Sequence, residues 1–345
     1  MHSTRPTIIV GKGEDADVPT ITEAVEMAEP GTVIKVDEGR YKENIIITKA
    51  DLRIEARGKD KVNSVYLLGE EGPCITVDLK TNETWVVKDL IIAHFGLNIA
   101  NKFNEQIKDN DLLSATPKFL KQFEISKEMD WCIMVLGGNT ILRNCLVSLK
   151  SLPENIKSSI PALVAMPGSK INLVSCEFRG NEAINTAGAI VMNSDLLVSD
   201  SYFHNFKAGG IFIIGTNDTS IKVADTEVGK CGIVGVYSQG NDCKPLFLRM
   251  KINNIEGPAI RVYKANRAKI KGCEIQKCQI GIEVIWADPF IIMNKIFKNY
   301  ENGILTVSRN GLRCDALIKF NEIYKNKDCG ILCCGAGNLI INNHV

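Results

Sequence analysis

The stretch CEIQKCQIGIEVI, residues 273–285, contains the two patterns from which the architecture of the chain can be read. Cys273 and Cys278 lie five residues apart, a spacing that raises the question of a metal or redox site. A step from a small to an aliphatic residue, Gly281-Ile282, then opens an alternating apolar run. Alternation with a period of two is typical of a β-strand.

The small-to-aliphatic step recurs along the chain at intervals of 21 to 27 residues. Upstream in each unit lies a second register. One residue recurs at the same place in every unit, which we call the ladder residue, and an apolar residue follows it two positions later. Two independent registers that agree over several units predict a repeat protein. The steps are Ala162-Leu163, Ala189-Ile190, Gly210-Ile211, Gly232-Ile233, Ala259-Ile260, Gly281-Ile282, Gly303-Ile304 and Gly330-Ile331. The ladder residues are Cys145, Cys176, Asp200, Thr226, Met250, Cys273, Asn294, Asn321 and Asn343.

Short strands that coil around a common axis explain these repeats better than helices or leucine-rich repeats do. Helical spacing does not persist anywhere in 139–345, and no leucine-and-asparagine signature recurs. Crossovers between parallel strands are right-handed. We therefore predict an all-β fold, a right-handed parallel β-helix, with coils of about 21–27 residues over 131–345. Ile211, Ile233 and Ile260 are expected to be in-register neighbours on adjacent strands.

This fold accounts for the cysteines without a metal. Equivalent residues of neighbouring coils lie about 4.8 Å apart, so that one residue type can fill a whole ladder. A buried thiol is a small apolar filler, and Asn can bond the backbone of a turn. Four zinc ligands at the usual spacing are absent, so we predict no metal site and no cofactor. Twelve cysteines without a secretory signal favour free thiols and a cytoplasmic location.

The whole chain, 1–345, is predicted to form a single domain with two parts that depart from the coils. Residues 1–50 read as an N-terminal cap and first coil, because Thr20 and Glu23 form a capping box ahead of an apolar helix face. Residues 97–130 are polar and helix-compatible, and they predict a helical or loop insertion. The chain ends inside a coil with an uncapped core. We expect further polypeptide or another molecule to close that end.

The N-terminal stretch resembles proteins of the pectin-lyase-like superfamily. The run PTITEAVEMA followed by PGTVIKVDEGRYKENIII is similar to the opening of pectinesterases, with Gly39, Tyr41 and Glu43 in their "GxYxE" pattern. It is also similar to the non-enzymatic β-helix regions of F-box only protein 11 and Shc SH2-domain-binding protein 1. The resemblance covers about residues 7–96 and 131–345, and it implies the fold rather than an activity.

The motifs that would imply catalysis in this superfamily are missing. The resemblance implies DFIFG-like and LGRPW-like motifs for a pectinesterase, an RxPxxR-like pair for a pectate lyase, and NTD and GHG for a polygalacturonase. None is present, and no catalytic residue is assigned. Glycoside hydrolysis would need two carboxylates about 5–10 Å apart. Asp200 with Glu227, or Glu283 with Asp288, are the pairs that stacked coils could bring together.

The strand that follows the small-residue step carries apolar residues on the side expected to face outward. Such a face is expected to contact another part of the protein or a partner. We predict a non-catalytic scaffold or recognition domain that binds a protein partner through this face and the insertion. The alternative is a carbohydrate-active β-helix domain, for which Arg261, Tyr263, Glu283 and Trp286 form the best polar cluster. The candidate binding residues are Phe212, Ile214, Val234, Val236, Arg261, Tyr263, Glu283, Ile285, Trp286 and Leu305.

The net charge and the hydropathy pattern argue against a nucleic-acid partner and a membrane partner. The net charge is +1, and no terminal tail is charged, so a nucleic-acid partner is not predicted. No apolar run approaches about 18 residues, and no membrane partner is predicted.

Overall fold

A computed structural model shows the chain as stacked coils built from three parallel sheets. Within the described residues it contains one α-helix and 35 β-strands. No helix of the described part is long and apolar enough to cross a membrane. The predicted insertion, 97–130, lies outside the described residues. The structure describes residues 5–58, 64–69, 72–94, 132–149, 160–181, 186–216, 218–264, 266–308, 314–335 and 337–345.

Each coil contributes one strand to each sheet in turn, so that neighbours within a sheet come from successive coils. The first sheet has 13 strands, and the second and third have 11 each. All pairings between the described strands are parallel, as between Ile260 and Ile282 in the third sheet. The predicted parallel β-helix is therefore confirmed.

Most strands of the first sheet alternate buried and outward residues. Its strands are Thr7–Val10, Val33–Val36, Arg53–Ala56, Thr84–Lys88, Asn139–Arg143, Lys170–Val174, Asp195–Ser199, Ile221–Ala224, Leu246–Leu248, Lys269–Lys271, Phe290–Ile292, Leu317–Lys319 and Leu339–Ile341.

The second sheet follows the first after a short turn, and its inward side chains pack in the same way. Phe178 and Phe203 stack on adjacent coils with their ring centroids 4.6 Å apart. Its strands are Gly39–Lys42, Val65–Gly69, Ile91–His94, Leu146–Leu149, Glu177–Arg179, Tyr202–His204, Glu227–Cys231, Lys251–Ile255, Glu274–Gln276, Lys295–Phe297 and Glu322–Tyr324.

The third sheet differs from the others because several of its strands are buried on both faces. Such strands read as continuous apolar runs rather than as alternating ones. They are Ile45–Ile47, Ile75–Val77, Ile133–Val135, Ile160–Ala165, Thr186–Met192, Gly209–Ile214, Val234–Gln239, Pro258–Tyr263, Ile280–Ile285, Ile304–Val307 and Ile331–Cys334.

The ladder forms at the turn between the first and second sheets. Asn321 donates to the carbonyl of Ile291 at 2.9 Å and to Oδ1 of Asn343 at 2.8 Å, and its own Oδ1 accepts from the backbone N–H of Asn294 at 2.9 Å. One predicted ladder residue is wrong. Asp200 occupies the left-handed turn position (φ 49°), and Ser201 takes the ladder place and accepts from the N–H of Cys176 at 3.1 Å.

The register of two third-sheet strands also differs from the prediction. Ile211 pairs with Val236, and Val236 pairs with Ile260, whereas Ile233 precedes the strand and is exposed. The reason is that Gly232 and Gly235 are each followed by an aliphatic residue. In the structure the residue after Gly235, and not the one after Gly232, aligns with Ile211 and Ile260. Likewise Ala189, rather than Ile190, aligns with Ile211.

The predicted helix is present at Ile21–Met27 and begins after Thr20, whose side chain accepts from the N–H of Glu23 at 3.2 Å. Glu43, from the "GxYxE" pattern, receives the N–H groups of Ile21 at 3.1 Å and Thr22 at 2.7 Å. A carboxylate is stabilised at a helix N-terminus because the unpaired N–H groups and the helix dipole favour negative charge there. The helix buries Ile21, Ala24 and Val25 and packs against the first strands of the first and third sheets.

Candidate functional site

The outer face of the third sheet carries two rows of side chains that the strand register places side by side. One row passes through Val164, Ile190, Phe212, Tyr237, Arg261, Glu283, Leu305 and Leu332. The other passes through Met192, Ile214, Gln239, Tyr263, Ile285, Val307 and Cys334.

The N-terminal half of this face is buried. Its apolar side chains form a hydrophobic cluster that is separate from the core inside the coils. Three predicted binding residues, Phe212, Ile214 and Val234, belong to this cluster, with at most 9% of any of them exposed. A partner could not contact these three side chains without a rearrangement of the surface.

The prediction that Val236 lies on the outer face is wrong. It points inward and belongs to the core, while the next residue, Tyr237, takes the outer position beside Phe212 and Arg261. A one-residue or three-residue shift moves every side chain of a strand to the opposite face, because side chains alternate with a period of two. The sequence interpretation therefore missed Tyr237 and Gln239. Choosing Gly235 as the small-residue step would have identified both.

The C-terminal half of the face is accessible, and we call it the accessible half. At its centre, Nε of Arg261 donates to Oε2 of Glu283 on the next coil. The side chains of this ion pair are 24% and 12% exposed. The pair lies between the aromatic residues upstream and the aliphatic ones that follow. The accessible half comprises Arg261, Tyr263, Glu283, Ile285, Trp286 and Leu305, all of which are half-buried.

Three aromatic rings on successive coils run diagonally across the face. The centroids of Tyr237 and Tyr263 are 6.5 Å apart, and those of Tyr263 and Trp286 are 5.5 Å apart. Tyr237 is buried, donates from its hydroxyl to Oε1 of Gln239 at 2.6 Å, and has a pKa raised by that burial. Tyr263 and Trp286 form the accessible end of this series.

Trp286 occupies a backbone position that is costly for a large side chain. It directly follows the strand Ile280–Ile285 and has φ at 53°, in the left-handed region. Equivalent positions of other coils hold Asn193, Gly215, Gly240, Lys264, Ser308 and Gly335. The indole Nε1 of Trp286 is buried and has no hydrogen-bond partner in the described structure. An unpaired buried donor costs about 1–3 kcal/mol.

The carboxylates suggested by the sequence are distributed over turns and over the second and third sheets. Asp288 accepts from the backbone N–H of Asp315 at 2.9 Å, and Glu227 accepts from Nδ2 of Asn253 at 3.1 Å on the second sheet. Asp200 lies in the turn between the first and second sheets, one coil before Glu227. On the two outer rows, Glu283 is the sole carboxylate among the described residues. The described part of the chain contains no group of three or more His, Cys, Asp or Glu residues that could hold a metal ion.

Comparisons with known proteins agree on the fold. The family model described as "Right handed beta helix region" matches residues 214–345. A solved structure of the periplasmic alginate epimerase AlgG has a TM-score of 0.50 and 11% sequence identity, covering 98% of this chain and 85% of that one. The Azotobacter vinelandii mannuronan C-5 epimerase AlgE4 A-module has a TM-score of 0.43 and 13% identity, covering 92% of this chain and 93% of its own.

Pectin methylesterase PemA from Erwinia chrysanthemi is a more distant match. It has a TM-score of 0.38 and 11% identity, covering 79% of this chain and 80% of that chain. No curated protein matches the sequence. These comparisons define the fold class, a right-handed parallel β-helix. At such low identities they establish the fold alone.

Proposed function

We propose that this β-helix is a non-catalytic recognition domain that binds a protein partner through the accessible half of the third sheet. The observation that carries the proposal is the grouping of Arg261, Tyr263 and Trp286 on adjacent coils. Trp, Tyr and Arg are the residue types that contribute most of the binding energy in protein interfaces. Ile285 and Leu305 surround them with apolar surface.

The position of Trp286 supports this use of the face. Its turn requires a left-handed backbone, which Gly adopts without cost and a bulky residue adopts at a cost of about 1–3 kcal/mol. The buried, unpaired Nε1 adds a further cost. Strain and unpaired polar groups of this kind concentrate at binding sites. We infer that a partner offsets these costs by packing on the Trp286 ring.

The chemistry of the face disfavours hydrolysis. Glu283 is held by Arg261, and on the described outer rows it has no second carboxylate within the arrangement that glycoside hydrolysis needs. Nine buried free cysteines suit the reducing environment of a cytoplasmic location, which we include in the proposal.

A carbohydrate ligand is the second candidate. Aromatic rings such as those of Tyr263 and Trp286 can stack on sugar faces, and the Arg261–Glu283 pair offers hydrogen-bonding groups. The proteins of similar fold are named as alginate epimerases and pectin methylesterases. The two candidates differ in a measurable way, because a sugar binder needs no protein partner.

The proposal is tested by comparing partner binding between the wild type and a Tyr263→Ala/Trp286→Ala double variant. Proteins captured from cells by the wild type but not by the variant are purified, and their affinity is measured by titration calorimetry. We expect the double variant to weaken binding at least about 100-fold, since each such side chain contributes about 2 kcal/mol or more. Tyr300→Ala, at a residue that is 60% exposed elsewhere, is the matched control and should bind normally.

Two outcomes would reject the proposal. In the first, no purified protein distinguishes the wild type from the double variant. In the second, the wild type cleaves or epimerises alginate or pectin oligosaccharides, and Glu283→Gln abolishes that activity. The wild type could also bind these oligosaccharides without turning them over. If the double variant loses that binding, the result favours the carbohydrate candidate instead.

A further inference from the structure

The outer face of the first sheet carries large apolar side chains beside lysines. Phe290 is 43% exposed, and two neighbouring turn residues, Met293 and Phe320, are 54% and 45% exposed. Strand pairing aligns two rows across these coils. One is Leu246, Lys269, Phe290 and Leu317, and the other is Leu248, Lys271, Ile292 and Lys319. We call these eight residues, with Met293 and Phe320, the basic–apolar face.

Within the described residues, the charged side chains of the two rows are all lysines. Neither row contains an acidic residue. In the described structure no carboxylate forms an ion pair with Lys269, Lys271 or Lys319. The ammonium group of Lys319 instead lies 5.7 Å from the centre of the Phe320 ring. The nearby turn residue Arg249 is already paired with Asp225 at 2.6 Å, so that this carboxylate does not neutralise the lysines.

We propose that the basic–apolar face binds an acidic amphipathic helix of a protein partner. Four coils spaced about 4.8 Å apart span about 14 Å from Leu246 to Leu317, which matches about ten residues of helix. The two rows and the adjoining turn are wide enough for one helix about 10 Å in diameter. Carboxylates on such a helix would pair with Lys269, Lys271 and Lys319, and its apolar side chains would cover Phe290 and Leu317.

The arrangement favours a polypeptide over a lipid surface. Membrane-bound faces place apolar side chains ahead of the basic residues, so that they enter the lipid while the charges remain outside. Here each row contains both lysines and apolar residues, and Ile292 and Leu317 are buried or half-buried in the surface. This site lies on a different sheet from the accessible half, so the inference goes beyond the proposed function and does not depend on it.

The test uses the full chain and a fluorescent synthetic peptide of about 14 residues, or about four helical turns, with Glu and Leu at helical spacing. Fluorescence anisotropy at about 0.15 M salt measures the dissociation constant. We expect saturable binding that weakens at least about tenfold in Lys269→Glu/Lys271→Glu, because two ion pairs become repulsive contacts. Phe290→Ser should weaken it by a similar factor through lost apolar contact.

The control variant is Lys251→Glu/Lys277→Glu, which reverses the same number of charges at exposed lysines outside this face. It should bind the acidic peptide with an affinity within about twofold of the wild type. The proposal is wrong if the wild type shows no saturable binding, or if the control loses as much affinity as Lys269→Glu/Lys271→Glu. It is also wrong if phosphatidylserine vesicles bind the protein while the peptide does not.

Discussion

At the residue scale, small side chains in the third sheet set how closely successive coils approach. A Cβ atom added to Gly281 would lie 2.3 Å from the carbonyl oxygen of Gly303, and one added to Gly303 would lie 2.6 Å from that of Gly330. Such approaches are far inside van der Waals contact. This is why the small-to-aliphatic step recurs in the sequence. The step is a packing requirement of stacked backbones rather than a functional motif.

Gly281→Ala is therefore expected to lower the free energy of unfolding by about 3 kcal/mol, because either the backbone or Ile296 must move to admit the methyl group. Gly168→Ala is the matched control. Gly168 has φ at 86° and no atom within 4 Å of an added Cβ, so only backbone strain of about 1 kcal/mol is expected. Urea denaturation measures both. Equal losses in the two variants would contradict the packing explanation.

At the element scale, the helix Ile21–Met27 covers the first core layer of the β-helix. Ile21 and Val25 are buried against the first strands, whereas Met27 on the same helix is 63% exposed. Glu43 ties the helix N-terminus to the end of a second-sheet strand. The helix thus protects both apolar side chains and the edges of the parallel sheets, which would otherwise invite association.

The double substitution Ile21→Ser/Val25→Ser should detach this cap. We expect the free energy of unfolding to fall by about 3–5 kcal/mol, since two large apolar side chains are lost from a buried contact. The variant should also form concentration-dependent oligomers in light scattering. Met27→Ser should behave as the wild type does. If the double variant stays monomeric and equally stable, the helix is not a cap.

At the scale of the whole molecule, thiols stacked through the core couple stability to pH. Burial raises the pKa of Cys231, Cys273 and Cys278 to about 12 each. Unfolded thiols ionise near pH 8.5. Because the folded pKa lies above the unfolded one, these groups contribute full stability below about pH 8.5, and that contribution is lost as pH rises toward 12.

We therefore expect the free energy of unfolding to decrease between about pH 9 and pH 11, by up to about 1.4 kcal/mol per pH unit for each such thiol. Guanidinium denaturation across this range measures the slope. Cys278→Ala should reduce the slope, although it also removes packing volume and lowers the stability at neutral pH. A slope that the variant leaves unchanged would show that other groups dominate the alkaline response.

The redox state of the same thiols provides an independent measurement. Cys145 and Cys176 stack on adjacent coils, where Cα atoms about 4.8 Å apart would permit a disulfide. We nevertheless predict twelve free thiols, because the proposed cytoplasmic location would keep thiols reduced. The exposed Cys329, Cys333 and Cys334 should react with a thiol reagent in the native protein, and the buried ones after unfolding. A count of free thiols at least two below twelve, measured under denaturing and non-reducing conditions, would contradict this prediction.

The sequence alone was sufficient to predict the parallel β-helix, the ladders and the cap helix. Period-two alternation is a local property, and stacking repeats the same residue type at the same place, so both patterns are visible without coordinates. Asn321 and Asn343 illustrate this, since their ladder was predicted and their side chains are hydrogen-bonded to each other at 2.8 Å. The capping box at Thr20 is equally local.

Only the tertiary structure determined which residues reach the outer face of the third sheet. Coil lengths vary, and Gly232 and Gly235 are equivalent as small residues in the sequence, so the register of that strand is fixed only by its pairing with the neighbouring strands. In the structure Val236 pairs with Ile211 and Ile260 and belongs to the core, which places Tyr237 outward. Burial of Phe212 also depends on tertiary contacts, because a side chain on an outer face is covered only by segments distant in sequence.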